Sequence, residues 1–273
     1  MGIFEGILIC TDLDGTLLNS AHRVSEENLK AIRHFEQEGG KFTFITGRPP
    51  VCVTEIYETV RPNAPFGCFN GGGIFDAENQ CYVYTQELRR DVCELICDAL
   101  EAIPTMGVQV NTFGRILFCR DNAAMERFRR ITGVPKLLCD LDEIEDPFAK
   151  IVFSDLDVAN VERLRVFLAA HPRASEFDFV RSEKTLYEIL PKGINKGSIL
   201  PHLSRHLSIP LSRTIALGDY DNDVEMLRTA GMGIAVANAI EEAKRAAKRI
   251  TVSNDEHAVA RVIEELECGE ILL

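Results

Sequence analysis

Three features of the sequence predict an α/β fold, a doubly wound parallel sheet into which an α+β domain is inserted. Short, almost unbroken apolar runs alternate with helical periodicity in the first third of the chain and again in the last third. That is the pattern of strands buried on both faces between covering helices. The middle third instead carries closely spaced, hairpin-like strand pairs. Two acidic clusters follow directly on apolar strands, at the carboxyl ends where open sheets of this kind take their ligands.

In chain order, residues 6–11 form the first strand. Residues 28–37 carry Leu29, Ile32 and Phe35 at helical spacing and stop at Gly39-Gly40, a helix terminator. Residues 42–45 form the second strand, and 66–69 the third, closed by Asn70-Gly71-Gly72-Gly73. An amphipathic helix is expected over 88–103, and a hairpin over 108–110 and 116–118 around a glycine-containing turn. A helix near 122–131, a strand at 149–154, a helix at 158–170 and strands at 177–181 and 185–190 complete the middle third. Strands at 214–217, 233–236 and 249–252, each followed by a helical stretch, restore the opening style. The expected division is therefore a core of residues 1–81 and 191–273, and an insert of 82–190, with hinges near 76–82 and 191–193.

The length of 273 residues, 46% of them apolar, suits two globular domains. With 42 acidic and 30 basic side chains the net charge is −12. That field repels phosphate backbones, so no nucleic-acid partner is expected, and an anionic substrate must be held by a few placed donors. No apolar run approaches the roughly 20 residues of a membrane span. No basic segment followed by an apolar run opens the chain, so neither membrane association nor a signal peptide is expected, and the protein is placed in the cytoplasm. The nine cysteines include no Cys-x-x-Cys pair. Cys10, Cys52, Cys68, Cys119 and Cys139 lie in apolar runs and read as small core residues.

The chemistry centres on Asp12-Leu13-Asp14-Gly15-Thr16. In an extended segment Asp12 and Asp14 would face the same way, and two crowded carboxylates call for a cation or a shared proton. A second cluster, Gly218-Asp219-Tyr220-Asp221-Asn222-Asp223, follows the strand 214–217. If the two strands are parallel neighbours, Asp12, Asp14 and Asp219 build an all-oxygen site suited to magnesium; alternatively Asn222 or Asp223 is simply a helix cap. Thr46-Gly47-Arg48 offers a hydroxyl, a backbone N–H and a guanidinium for phosphate oxygens, or else a strand-to-helix turn. Lys196 is expected to open a helix, a placement opposed by the helix dipole unless it faces anions. His202 and His206, four apart, lack the remaining signature of a zinc site and read as packing or surface residues.

The order Asp-x-Asp-Gly-Thr, Thr-Gly-Arg, Lys, Gly-Asp-x-x-Asn-Asp resembles the haloacid dehalogenase-like phosphatases. With a large α+β insert between the second motif and the lysine, the chain is similar to their Cof-like branch. The likeness spans the whole chain, including Asn70-Gly71-Gly72, Glu188-Ile189 with Pro191-Lys192-Gly193, and Asn238-Ala239. It implies a Rossmann-like core with a cap domain, and a magnesium-dependent phosphatase of small phosphorylated metabolites, sugar phosphates or cofactor precursors. In that scheme Asp12 is the nucleophile and a magnesium ligand. Asp14 is the general acid/base and binds the metal through its carbonyl. Thr46, Gly47, Asn222 and Lys196 hold the phosphoryl group, Asp219 binds the metal and Asp223 supports it. The cap would close over the site and choose the leaving group. Tyr220 and His257 depart from the common pattern of such proteins.

Arg48 and Glu188 are candidates for substrate contact, as is the turn at residues 182–184. The alternatives are a phosphomutase, for which Arg115, Arg120, Lys150 and Arg181 are the cap cations available, and a non-catalytic phospho-ligand sensor, against which intact Asp12 and Asp14 argue. A phosphorylated receiver domain would lack the Asp-x-Asp-Gly-Thr pair.

Overall fold

In the computed structural model, which describes residues 2–273, β1 (Leu8–Thr11) is buried along its whole length. The helix after it, α1 (Glu26–Gln37), starts two residues ahead of the sequence expectation. The Ser25 hydroxyl accepts the Asn28 N–H at 3.3 Å and so caps the first turn. β2 (Lys41–Phe44) and α2 (Thr54–Val60) follow.

Three strands then form a sheet of their own: β3 (Phe66–Cys68), β4 (Gly73–Asp76) and β5 (Cys81–Thr85). β3 therefore is not a full member of the parallel sheet. It runs antiparallel to β4, and a single parallel bridge from Ile45 to Gly67 ties it to the end of β2. The turn between β3 and β4 needs left-handed backbone at Phe69, Asn70 and Gly71.

The middle of the chain contributes α3 (Val92–Ala102), β6 (Gly107–Thr112), β7 (Ile116–Arg120), α4 (Ala123–Thr132), β8 (Phe148–Ser154), α5 (Val158–Ala170), β9 (Phe177–Glu183) and β10 (Leu186–Pro191). α3 starts later than position 88 because Leu88 pairs with Phe148 instead, its N–H donating to the Phe148 carbonyl at 2.8 Å. The five strands form an antiparallel sheet in the order β7-β6-β8-β10-β9. One face, with Val108, Val110, Ile151, Phe153, Tyr187 and Ile189, packs in a single apolar cluster with α3 and α5.

The chain then returns through α6 (Leu200–Leu207), β11 (Thr214–Gly218), α7 (Val224–Thr229), β12 (Met232–Ala235), α8 (Glu241–Ala246), β13 (Arg249–Ile250) and α9 (Ala258–Glu267). The main sheet is parallel throughout, in the order β13-β12-β11-β1-β2. β1 and β11 are neighbours, with Thr11 opposite Leu217, so the two acidic clusters leave adjacent strand ends.

By contacts the chain divides into two units, one running to Tyr84 together with Asn195–Leu273, the other Thr85–Ile194. The first boundary falls after 84 rather than 81 because β5 belongs to the small sheet with β3 and β4. Among the described residues no helix is long and apolar enough to cross a membrane.

Candidate active site

Asp12 is the first residue beyond β1, and its N–H still donates to the Leu217 carbonyl of β11 at 2.9 Å. That ladder bond holds its carboxylate beside the loop after β11. Lys196 Nζ donates to Asp12 Oδ1 and to Asp223 Oδ1, each at 2.6 Å, and its side chain is fully buried. The other Asp223 oxygen accepts the N–H groups of Asp219 and Tyr220 at 2.9 and 3.1 Å. Asp223 thus closes its own loop, as a cap would, while also facing Lys196. Asp219 Oδ1 accepts the Thr16 hydroxyl at 2.9 Å.

Asp12, Asp219 and Asp223 each present a carboxylate oxygen within 4.8 Å of the others. The carboxylate of Asp14 stands apart from this group. The chain turns after Asp12, where the Leu18 N–H donates to the Leu13 carbonyl at 2.8 Å. Asp14 is instead gripped by Arg48, whose Nε and terminal nitrogen donate to its two oxygens at 2.9 and 2.5 Å. Arg48, read from sequence as a substrate contact, is therefore committed to Asp14 in a forked pair.

Gly15 is needed at the turn. Its φ is +80°, and a Cβ there would lie 2.5 Å from an Asp219 oxygen. Lys196 does not open a helix. It lies in a turn, and α6 begins only at Leu200. Asn195 and Ser198 cap the irregular turn that precedes α6: the Asn195 side chain accepts the Ser198 N–H at 2.9 Å and the Ser198 hydroxyl oxygen accepts the Asn195 N–H at 3.1 Å.

Burial and the neighbouring Asp223 and Asp219 push the Asp12 carboxyl well above its ordinary range, against the pull of Lys196. Burial and Asp223 push Asp219 up to about 7. Burial opposes the Lys196 charge, but Asp12 and Asp223 outweigh it and hold the ammonium above its usual value. With all three carboxylates ionised, the single ammonium would leave a surplus of two negative charges in a mostly buried site. An all-oxygen donor set with that surplus fits a hard divalent cation.

The remaining sequence candidates fall into two places. Thr46 is buried, and its hydroxyl accepts the Arg48 N–H at 3.2 Å. A Cβ on Gly47 would lie 2.9 Å from the Asn70 side-chain oxygen, and that oxygen accepts the Asn222 amide at 3.0 Å. Thr46, Gly47 and Asn222 are thus joined through Asn70, which sequence reasoning missed as a site residue. The glycine triplet beside it was the available signal. Asn238, whose amide donates to the Gly15 carbonyl at 2.8 Å, was missed in the same way. Glu188 lies in the second unit, paired with Lys150 at 2.6 Å with both side chains buried. His202 packs against Tyr84, ring centroids 4.1 Å apart and the planes tilted by 32°, as a packing residue would.

Residues 9–263 match the family signature described as haloacid dehalogenase-like hydrolase. The chain belongs to that family. It is 31% identical over 95% of its length to the phosphatase YwpJ of Bacillus subtilis (strain 168), covering 99% of that protein. It is 30% identical over 94% of its length to the 5-amino-6-(5-phospho-D-ribitylamino)uracil phosphatase YitU of the same organism, covering 96% of it. Among solved structures it is similar to a haloacid dehalogenase-like hydrolase from Bacteroides thetaiotaomicron, with a TM-score of 0.82, 26% identity, and 95% and 99% of the two chains covered. Fold and family agree with the sequence reading, and the chain is an enzyme of the phosphoric monoester hydrolase class.

Proposed function

We propose that this hydrolase is a magnesium-dependent, cytoplasmic phosphatase of small phosphorylated metabolites that works through an aspartyl-phosphate on Asp12. The observation that carries the reading is the buried Lys196 ammonium 2.6 Å from Asp12, beside two further carboxylates at adjacent strand ends. Asp12 Oδ attacks phosphorus, and the bond from phosphorus to the leaving oxygen breaks. Asp14 gives that oxygen a proton, then takes one from the water that cleaves the aspartyl-phosphate and regenerates Asp12. Lys196 offsets charge on the transferred group, and the Thr46 hydroxyl, the Gly47 N–H and the Asn222 amide orient it. Asp12, Asp219, Asp223 and the Asp14 carbonyl would hold magnesium, which when bound supplies positive charge against the phosphoryl oxygens.

The inserted unit serves as the cap that selects the leaving group. The ribitylaminouracil phosphate named for YitU supports phosphorylated cofactor precursors as one substrate class to try beside sugar phosphates. The test is Asp12→Asn with phosphate release as readout. The variant is expected to keep its circular dichroism spectrum and lose turnover, while magnesium restores and calcium inhibits the chelated wild type. Retained turnover in the purified variant, or full wild-type activity in chelator, overturns the reading.

A further inference from the structure

The segment that follows β12 reaches both acidic loops. The Ile240 N–H donates to the Asp219 carbonyl at 2.9 Å. Two residues earlier, the Asn238 amide donates to the Gly15 carbonyl at 2.8 Å. The Thr16 hydroxyl donates to Asp219 Oδ1 at 2.9 Å, so these bonds close a ring through Gly15-Thr16, Asp219 and residues 238–240. Asn254 braces the ring. Its N–H donates to Asn238 Oδ1 at 3.0 Å, and its side-chain amide donates to the Leu18 carbonyl at 2.9 Å. The first bond fixes which way the Asn238 amide points, since a flipped amide would set N–H against N–H and oxygen against the Gly15 carbonyl. The second holds the far end of the turn that carries Asp14. Asn254 is buried, whereas Asn238 is exposed and fills no space in the core. All of these residues belong to the first unit.

We propose that Asn238, oriented by Asn254, is a positioning residue for the cation: it closes the ring that holds the Asp14-Gly15 turn at a set distance from Asp219. The inference rests on the reading of these carboxylates as a magnesium site, and it assigns what keeps their spacing. Without a cation, Asp12 and Asp219 on the two loops repel each other. The Thr16 hydroxyl alone is a single rotatable tie between the loops. Asn238 holds the turn at a second point, one residue beyond the Asp14 carbonyl. Magnesium demands near-ideal octahedral geometry, with oxygens at about 2.0–2.1 Å, so a turn that drifts loses affinity. The ring acts on the spacing of the ligands and leaves recognition of the ester alone.

The experiment compares wild type with Asn238→Ala, titrating metal-free protein with magnesium chloride by calorimetry. The dissociation constant is expected to rise about tenfold, the low end of the cost of removing a supporting hydrogen bond around a metal site. KM for nitrophenyl phosphate at saturating magnesium is expected to stay unchanged. In chelator, hydrogen exchange is expected to quicken at Thr16, Leu17 and Leu18, whose N–H groups close the turn onto the Leu13 and Asp12 carbonyls, with β1 unchanged. Asn238→Ser, too short to reach Gly15, is expected to do the same and serves if the alanine variant does not fold. An asparagine with a merely structural role would lower the melting temperature and leave the magnesium constant unmoved. That result, unchanged exchange at the turn, or a raised ester KM with unchanged magnesium affinity overturns the proposal. A wild type that binds no magnesium fails the metal site of the phosphatase reading instead. Exchange in chelator then decides the ring: quickening at residues 16–18 supports it, and no change overturns it.

Discussion

Asp219→Asn separates what the acidic cluster costs the fold from what it offers a cation. The substitution keeps the shape and the Oδ1 acceptor that takes the Thr16 hydroxyl at 2.9 Å, and removes one charge. Burial and Asp223 push the Asp219 carboxyl up to about 7 from the 3.8 of a free aspartate. That gap corresponds to roughly 4 kcal/mol, reduced to about 1–3 kcal/mol because water reaches this partly exposed side chain. The sign follows from linkage. A carboxyl whose folded value is raised favours the fold below the unfolded value of 3.8 and loses that contribution as pH rises through about 7. In chelator at about pH 8, Asp219→Asn should therefore be more stable than wild type by about 1–3 kcal/mol. The gap should close as pH falls toward 3.8. Magnesium should reverse the order, because wild type gains binding free energy that the variant has lost. Urea unfolding across this pH range, with and without magnesium, makes the measurement. A variant less stable than wild type in chelator at about pH 8, or a gap independent of pH, refutes the charge surplus.

Asp14→Asn should lose turnover of sugar and alkyl esters far more than of nitrophenyl phosphate, whose leaving group needs no proton; equal losses by steady-state kinetics count against the acid role. Gly71→Ala should lower the melting temperature, by strain of at least about 1–3 kcal/mol. The φ there is +102° and a Cβ would sit 2.1 Å from the Asn195 carbonyl oxygen, so an unchanged melting temperature contradicts the packing described. Asp121 accepts a forked pair from Arg129 at 2.8 and 3.0 Å, which with Lys136 holds its carboxyl below 3.8. Asp121→Asn should cost about 0.5–1 kcal/mol at neutral pH. That difference should vanish as pH falls below 3.8, and a difference that survives in acid refutes the assignment.

Much of the core was legible because its signals are local. An apolar strand followed at once by carboxylates marks a strand end, whichever strands flank it. The convergence of Asp12 and Asp219 needed only that β1 and β11 be neighbours, and they are. What stayed hidden depends on distant partners. The hinge expected near 76–82 falls instead between and within β4 and β5, and only pairing assigns those strands to the small sheet. Lys196 sits among helix-compatible residues, yet it lies in the turn closed by Asn195 and Ser198, and the regular helix begins only at Leu200. Asn70 and Asn222 are 152 positions apart, so their hydrogen bond left no mark on either segment.

Asp12 and Asp14 carry the division of labour that the sequence could state least clearly. Their spacing argued for one crowded spot, but the turn after Asp12 gives them two environments. Asp12 enters a buried group of carboxylates around one lysine, where its charge is expensive without a cation. Asp14 leaves that group for Arg48 and keeps 43% of its side chain exposed. Two acids with one task would gain from equal surroundings; a nucleophile and a proton carrier need different ones. Under the proposed mechanism the Arg48 fork holds the Asp14 carboxylate outside the metal cluster, where water reaches it. Gly15 makes that separation possible, since any side chain there would strike Asp219. The glycine in Asp-x-Asp-Gly is thus as much a part of the chemistry as the two acids before it.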